Sequence, residues 1–440
     1  MKPPKTEQVG AISARKCAQD LLHAVIYDQQ ALDKLLKNNQ GFQKLDQRDK
    51  AFIRNLVATT LRRLGQIDAI IDNFLDRPLP HSARPAHNAM RLGICQILFL
   101  ETHNHAAVNT SVDLAKLSSP EKFIGLVNAI LRKVALCNKK KLIEKFDVKK
   151  NLPNWLFDSW VKCFGSLKTS EICDIHALTP PLDLTINKNP EDWATLLDGK
   201  RIGKNTVRLH NYGKISKIHG YEEGAWWVQD AAAALPAQLI LNSVNGGFVC
   251  DLCAAPGGKT AQLAAAGYQV TAVDISSERM NLLLQNMSRL KLVVEVVKEN
   301  ALAWKPDKLY RAVLVDAPCS ATGTARRHPE ILYQKNSKDL RRKNGLQKSL
   351  INQAAKFVEP GGVIVYSVCS LERSEGYEQI VSFLNSNRNF DLLPVQKSEV
   401  KDFEACVTIE GFVQTTPAHL AERGGVDGFF AGRIKKRIME

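Results

Sequence analysis

Cys319 lies in Asp316-Ala317-Pro318-Cys319-Ser320 and Cys369 in Tyr366-Ser367-Val368-Cys369-Ser370, and each closes an apolar run. Leu314 and Val315 precede the first; Val363, Ile364 and Val365 precede the second. Short apolar runs of this kind read as buried strands. Both thiols are therefore expected at strand carboxyl ends, where open α/β sheets place their ligands. Paired thiols there point to covalent chemistry, because a thiolate is a strong nucleophile. The alternative, two inert buried cysteines, fits poorly with the polar residues flanking both.

A second chemical feature comes earlier. The run Phe248 to Leu252 leads into Cys253-Ala254-Ala255-Pro256-Gly257-Gly258-Lys259-Thr260 and then an apolar helix, Ala261 to Ala266. Small residues let backbone amides approach a ligand closely, and a helix amino terminus favours a carboxylate or phosphate. Gly258-Lys259-Thr260 matches the end of a phosphate-binding P-loop, but that motif needs glycine at position 253, where this chain has cysteine. Asp274 follows Gly257 by seventeen residues, close to where doubly wound folds set an acidic residue on a ribose. It is also placed to cap the next helix. With neither a phosphate turn nor a G-x-G-x-x-G fingerprint, the loop fits S-adenosylmethionine better than NAD or ATP. Cys250 and Cys253 form a single C-x-x-C pair with no second pair near it, so Cys250 reads as a strand residue and no metal site is expected.

The elements that must position these groups follow from periodicity. A chain of 440 residues exceeds what one core usually organises. Residues 1–146 show helical spacing, with Ile53, Val57, Leu61 and Leu64 on one stripe and Leu92, Cys95, Leu98 and Phe99 on another. Asp46 reads as a helix cap there. Residues 147–235 mix helical and strand signals and read as a small α+β connector. Residues 236–440 alternate strands and helices: Phe248 to Leu252, Val270 to Val273, Val293 to Val297, Ala312 to Val315 and Val363 to Tyr366 are expected strands of a parallel, doubly wound sheet.

Charge identifies a class of partner. The chain carries a net +15, and its first 145 residues hold 23 basic against 13 acidic side chains, so most of the excess sits at the front. An anionic partner is favoured, nucleic acid first. No apolar run reaches the roughly 20 residues of a membrane span, and the start lacks the apolar core of a signal peptide. Ten cysteines without dense regular spacing fit a reducing compartment, and a cytoplasmic monomer is expected.

Taken together, Cys253 to Lys259, Asp274, Asp316 to Ser320, Arg326-Arg327-His328-Pro329 and Tyr366 to Ser370 resemble the RNA cytosine-C5 methyltransferases. The front region, with Asp49-Lys50-Ala51-Phe52, Ala107-Val108-Asn109 and Val127 to Arg132, resembles the RNA-binding domain related to the antitermination factor NusB. With Val228-Gln229-Asp230-Ala231 and Asp427-Gly428-Phe429-Phe430 added, the likeness is to the branch of the family that methylates bacterial 16S rRNA. The resemblance implies three parts: an all-α NusB-like bundle, the connector, and a Rossmann-like class I methyltransferase sheet. It also implies S-adenosylmethionine as donor and a 16S rRNA cytosine of the position-967 type as acceptor.

By the same resemblance Cys369 is the nucleophile and Cys319 assists product release. Cys253, Ala254, Ala255, Pro256, Gly257, Gly258, Lys259, Asp274, Asn300 and Asp316 bind the cofactor. Read from the residues themselves, Arg326, Arg327 and His328 follow the first cysteine motif and are candidates to hold substrate phosphates, with an ordinary solvated charge cluster the equal alternative. The chain departs from the family at Asn300, where aspartate is usual, and at Val368, where threonine is usual. An asparagine oxygen still accepts a hydrogen bond but carries no charge. Three alternatives stand beside this reading. Cys319 is the nucleophile if Pro318-Cys319 works as the Pro-Cys of DNA cytosine methyltransferases; the substrate is a tRNA or another rRNA site; or the chain is a non-enzymatic assembly factor.

Overall fold

A computed structural model describes residues 5–438. The chain packs as two compact units: one runs up to Thr179 and takes in Ala325–Gln334, and the other holds Pro180–Thr324 and the chain from Lys335 onward.

The first unit contains no strand among its described residues. Asp46 caps the helix Gln47–Arg62, its side chain accepting the Asp49 N–H at 2.7 Å, a bond that contributes about 1 kcal/mol. Ile53, Val57, Leu61 and Leu64 are all buried, as are Leu92, Cys95 and Leu98 of the helix Arg84–Leu98. The helix Asn154–His176, interrupted where Gly165 takes φ +81°, belongs to this unit. Leu156, Trp160, Ile172, Cys173 and Ile175 are among the residues it buries. The segment Ala325–Gln334 is held by polar contacts: the Tyr333 hydroxyl reaches the carbonyls of Leu61 at 3.1 Å and Asn151 at 3.0 Å, and Gln334 Nε2 donates to Gln30 O at 2.8 Å.

The second unit begins with strands β1 (Leu182–Ile186), β2 (Lys200–Ile202), β3 (Thr206–Leu209) and β4 (Trp226–Val228), which form an antiparallel sheet in the order β2-β3-β1-β4. Its buried Arg208 grips Asp183 with two bonds of 2.6 and 2.7 Å. Then come β5 (Phe248–Leu252), β6 (Gln269–Val273), β7 (Glu295–Val297), β8 (Tyr310–Asp316), β9 (Val358–Val368), β10 (Phe390–Leu392), β11 (Val413–Gln414) and β12 (Phe430–Lys436). They form one sheet, ordered β10-β12-β9-β8-β5-β6-β7, with β11 paired to β12.

The five strands expected from the sequence are the parallel ones. β10, β11 and β12 run antiparallel and extend the sheet beyond β9. Successive residues alternate between two cores. Val249, Leu314, Val363 and Val365 face one; Cys250, Val313, Val315, Ile364, Tyr366 and Val368 face the other. Burial on both faces explains why these strands read as unbroken apolar runs. Strand order reverses between β5 and β8, which makes the crevice at their carboxyl ends the expected ligand site. Among the described residues no helix is long and apolar enough to cross a membrane.

Candidate active site

β8 and β9 are parallel neighbours in the register Asp316 to Ser367, so the chain leaves both strands at the same level. Cys319 follows that matched pair by three residues and Cys369 by two, and their sulfurs stand 3.4 Å apart. The Cys319 thiol is pushed well above its ordinary pKa, first by its hydrogen bond to Cys369 and then by burial and nearby negative charge. Either sulfur can act as the donor in that contact. Val368 is fully buried and packs in the core beside Ile364 and Tyr366, so the usual threonine hydroxyl is replaced by apolar packing.

Asp316, the last residue of β8, accepts Lys259 Nζ at 2.9 Å and Ser367 Oγ at 3.0 Å. Lys259 stands in the first turn of the helix Gly258–Ala265, with its ammonium 5.0 Å from the Phe429 ring centre. Burial alone would lower the Lys259 pKa; the bond and charge of Asp316, with a further contribution from Cys369, outweigh it and hold the group above its ordinary value. Two motifs quoted from the sequence meet nearby. Asp230 Oδ1 accepts the Asp427 N–H at 3.0 Å, and Gly428 N–H bonds Gly323 O at 2.8 Å. A Cβ on Gly323 would sit 1.9 Å from the Gly428 carbonyl oxygen, so the two backbones cross only because neither carries a side chain there.

The turn after β5 puts Cys253 at φ +64° and Gly257 at φ +101°. A Cβ on Gly257 would press on Leu283 and Met287 at 3.0 and 3.2 Å. Asp274 is buried after β6 and pins the same turn: its Oδ2 accepts Ala255 N–H at 3.2 Å and its Oδ1 accepts Ser276 N–H at 2.9 Å. Arg279 reaches both Asp274 and the Ala255 carbonyl. Ala254 and Ala255 are buried and Pro256 is exposed. Asn300 is exposed after β7, its Oδ1 capping its own turn through Leu302 N–H at 3.1 Å.

Arg326, Arg327 and His328 lie in the segment that packs with the helical unit. Arg326 is buried at 1% exposure, with its carbonyl accepting Arg62 Nη2 at 3.2 Å. A guanidinium so enclosed does not present itself to a phosphate. That part of the expectation falls to Arg327, which is exposed, and to His328, which is about one-third exposed and lies 3.7 Å from Asp33.

Two residues carried no sequence signal. One is Glu375, buried behind the cysteines. The other is Asp251, inside β5, whose Oδ2 accepts Thr260 Oγ at 2.6 Å while its buried Oδ1 has no protein partner. Burial, opposed by the Thr260 bond and reinforced by Asp316, pushes the Asp251 carboxyl up to about 7. A raised folded-state pKa favours folding below the ordinary value of 3.8, and that contribution is lost as pH climbs through about 7. The stability of Asp251→Asn relative to the parent is therefore expected to rise by on the order of 2–3 kcal/mol between pH 5 and pH 8. Urea denaturation at the two pH values checks this, and equal differences at both would refute it.

Among the described residues no group of three or more His, Cys, Asp or Glu is placed to hold a metal ion. A largely parallel sheet with a glycine turn after its first strand, an acidic residue after its second and an antiparallel strand beside its last defines a Rossmann-like methyltransferase. The 16S rRNA methyltransferase RsmB/F family model matches residues 238–435, and the NusB family model matches residues 12–136. The chain is 31% identical over 439 residues to ribosomal RNA small subunit methyltransferase B of Enterobacter sp. strain 638, covering 96% of this chain and 98% of that one. It is 31% identical over 392 residues to the protein of the same name from Klebsiella pneumoniae strain 342, covering 85% and 90%. The crystal structure of PH0851 shares the fold at a TM-score of 0.74 and 22% identity, over 99% of this chain and 100% of its own. The chain belongs to the RsmB/F methyltransferase family and carries a NusB-family domain ahead of its methyltransferase domain.

Proposed function

We propose that the protein methylates carbon 5 of a cytosine of the position-967 type in 16S rRNA, with S-adenosylmethionine as donor and Cys369 as covalent nucleophile. The observation that carries this is the 3.4 Å thiol pair at the ends of adjacent parallel strands, beside a Lys259–Asp316 ion pair. Carbon 5 of cytosine is too electron-poor to attack a methyl group unaided. Addition of the Cys369 thiolate to carbon 6 moves electron density onto carbon 5. S-adenosylmethionine, when bound, supplies the methyl as an electrophile. Release then requires loss of the carbon 5 proton and cleavage of the carbon 6–sulfur bond, with the bonding electrons returning to Cys369. Cys319 is the group we assign to assist that step.

The residues around the glycine turn suit such a donor. Gly257 at φ +101° makes the tight turn with Leu283 and Met287 packed where a side chain would sit, and the orphaned Asp251 Oδ1 offers an acceptor to an ammonium group. Asp274 is the acidic residue we assign to the ribose and Asn300 the acceptor for the adenine amino group. Ala254, Ala255 and Pro256 complete the turn. The target base must leave its stack to expose carbon 6, at a cost of a few kcal/mol that is smallest in loops. Arg327 and His328 are assigned to substrate phosphates. Binding of 16S rRNA should then be strongly salt-dependent: about five phosphate contacts imply a loss of roughly 100-fold between 50 and 200 mM salt, measured by filter binding, and a flat response would count against an electrostatic RNA interface. Bisulfite sequencing of ribosomal RNA from cells with and without the gene tests the whole reading. Loss of one 16S cytosine signal is expected; a lost site in tRNA or 23S rRNA redirects the substrate, and no change at all favours an assembly factor.

A further inference from the structure

The loops carrying Cys319 and Cys369 are tied together behind the thiols by a single carboxylate. Glu375 is fully buried on the loop between β9 and the helix Tyr377–Ser386, and its own carbonyl accepts the Tyr366 hydroxyl at 2.6 Å. Its Oε1 accepts Ser320 N–H at 2.9 Å and Gln347 Nε2 at 3.1 Å; its Oε2 accepts the hydroxyls of Ser320 at 2.5 Å and Ser370 at 2.6 Å. Ser320 directly follows Cys319 and Ser370 directly follows Cys369. One group therefore grips the residue next to each thiol. Secondary links close the arrangement: the two serine hydroxyls are 3.0 Å apart, Thr322 Oγ accepts Leu371 N–H at 3.1 Å, and Gln347 also reaches Pro318 O at 3.1 Å.

A buried carboxylate with four donors around it is firmly held, because every alternative placement strands charge away from water. It touches neither sulfur, so its effect on chemistry passes through the loops it holds. We infer that Glu375 is a positioning residue that sets the separation of the two thiols, and with it the ability of one bound ring to meet both in turn. Supporting this, the charge of Glu375 adds to the bond with Cys369 and to burial in keeping Cys319 protonated. The inference rests on the two-cysteine reaction proposed above.

The test uses Glu375→Gln in the full chain, with two readouts. Steady-state methylation of a 16S rRNA fragment should lose about 10-fold or more in kcat, with KM for RNA changed less than about twofold. Bridging of Cys319 and Cys369 by phenylarsine oxide, which needs two adjacent thiols, should slow by a similar factor when followed by peptide mass spectrometry. Cys319→Ala serves as the unbridged control. Should Glu375→Gln fail to fold, Ser320→Ala and Ser370→Ala, which each cut one arm, are read on the same two measurements. A folded Glu375→Gln protein with unchanged kcat and unchanged bridging overturns the inference. Slowed bridging in the variant, with no cytosine methylation even in the parent, would instead sink the reaction while upholding the positioning role.

Discussion

Cys369→Ala is expected to lose both methylation and the covalent protein–RNA complex to below detection, whereas Cys319→Ala should accumulate that complex and turn over little or no substrate. The difference follows from the geometry of the pair. The two sulfurs are 3.4 Å apart, and the contact with Cys369, then burial, raises the Cys319 thiol well above its ordinary pKa. Attack requires a thiolate, and the resemblance of both cysteine motifs to the RNA cytosine-C5 methyltransferases assigns the first attack to Cys369. Once the adduct exists, loss of Cys319 removes the group assigned to assist release, and the adduct persists. Denaturing gels of enzyme mixed with labelled rRNA fragment separate the outcomes. A shifted band with Cys369→Ala and none with Cys319→Ala would reverse the roles and favour the Pro318-Cys319 alternative.

How far the sequence reaches differs between the framework and the site. Asp46, the stripe of Ile53, Val57 and Leu61, and the strand runs up to Leu252, Val315 and Val365 are legible because each depends on neighbours within one turn or one strand. The thiol pair is legible for the same reason, since two strand ends mark it. Glu375 is not. It lies on a loop without periodicity, and its partners Ser320 and Gln347 are 55 and 28 residues away in the chain. Asp251 reads as an interruption in an apolar strand, and only the surrounding burial shows that one oxygen lacks a partner. Arg326 looks like a surface cation in its Arg-Arg-His run, yet packing encloses it while leaving its neighbour Arg327 exposed. Long-range packing decides each of these, and a single sequence does not encode it locally.

Lys259→Met is expected to slow covalent-complex formation by about 100-fold, the scale of removing one preorganised charge from an active site, while RNA affinity changes less than about twofold. Methionine preserves the length and volume of the stem and removes only the ammonium. That ammonium bonds Asp316 at 2.9 Å, and Cys369 contributes to holding its pKa up, so it is a cation within electrostatic reach of the proposed nucleophile as that takes on charge. The effect on folding should be far smaller. The Asp316 side chain is 32% exposed and keeps Ser367 as a donor, so water screens much of what the lost pair contributed, leaving on the order of 1 kcal/mol. Asp316→Asn should reproduce the slowing by releasing the tether that aims Lys259. The two effects separate in a single-turnover assay with RNA carrying 5-fluorocytosine at the target, which halts the reaction at the adduct, run alongside thermal unfolding. A Lys259→Met protein that forms adduct at the parent rate would exclude Lys259 from activation of the thiol; one that is slow only because it melts at the assay temperature would assign the residue to the fold instead.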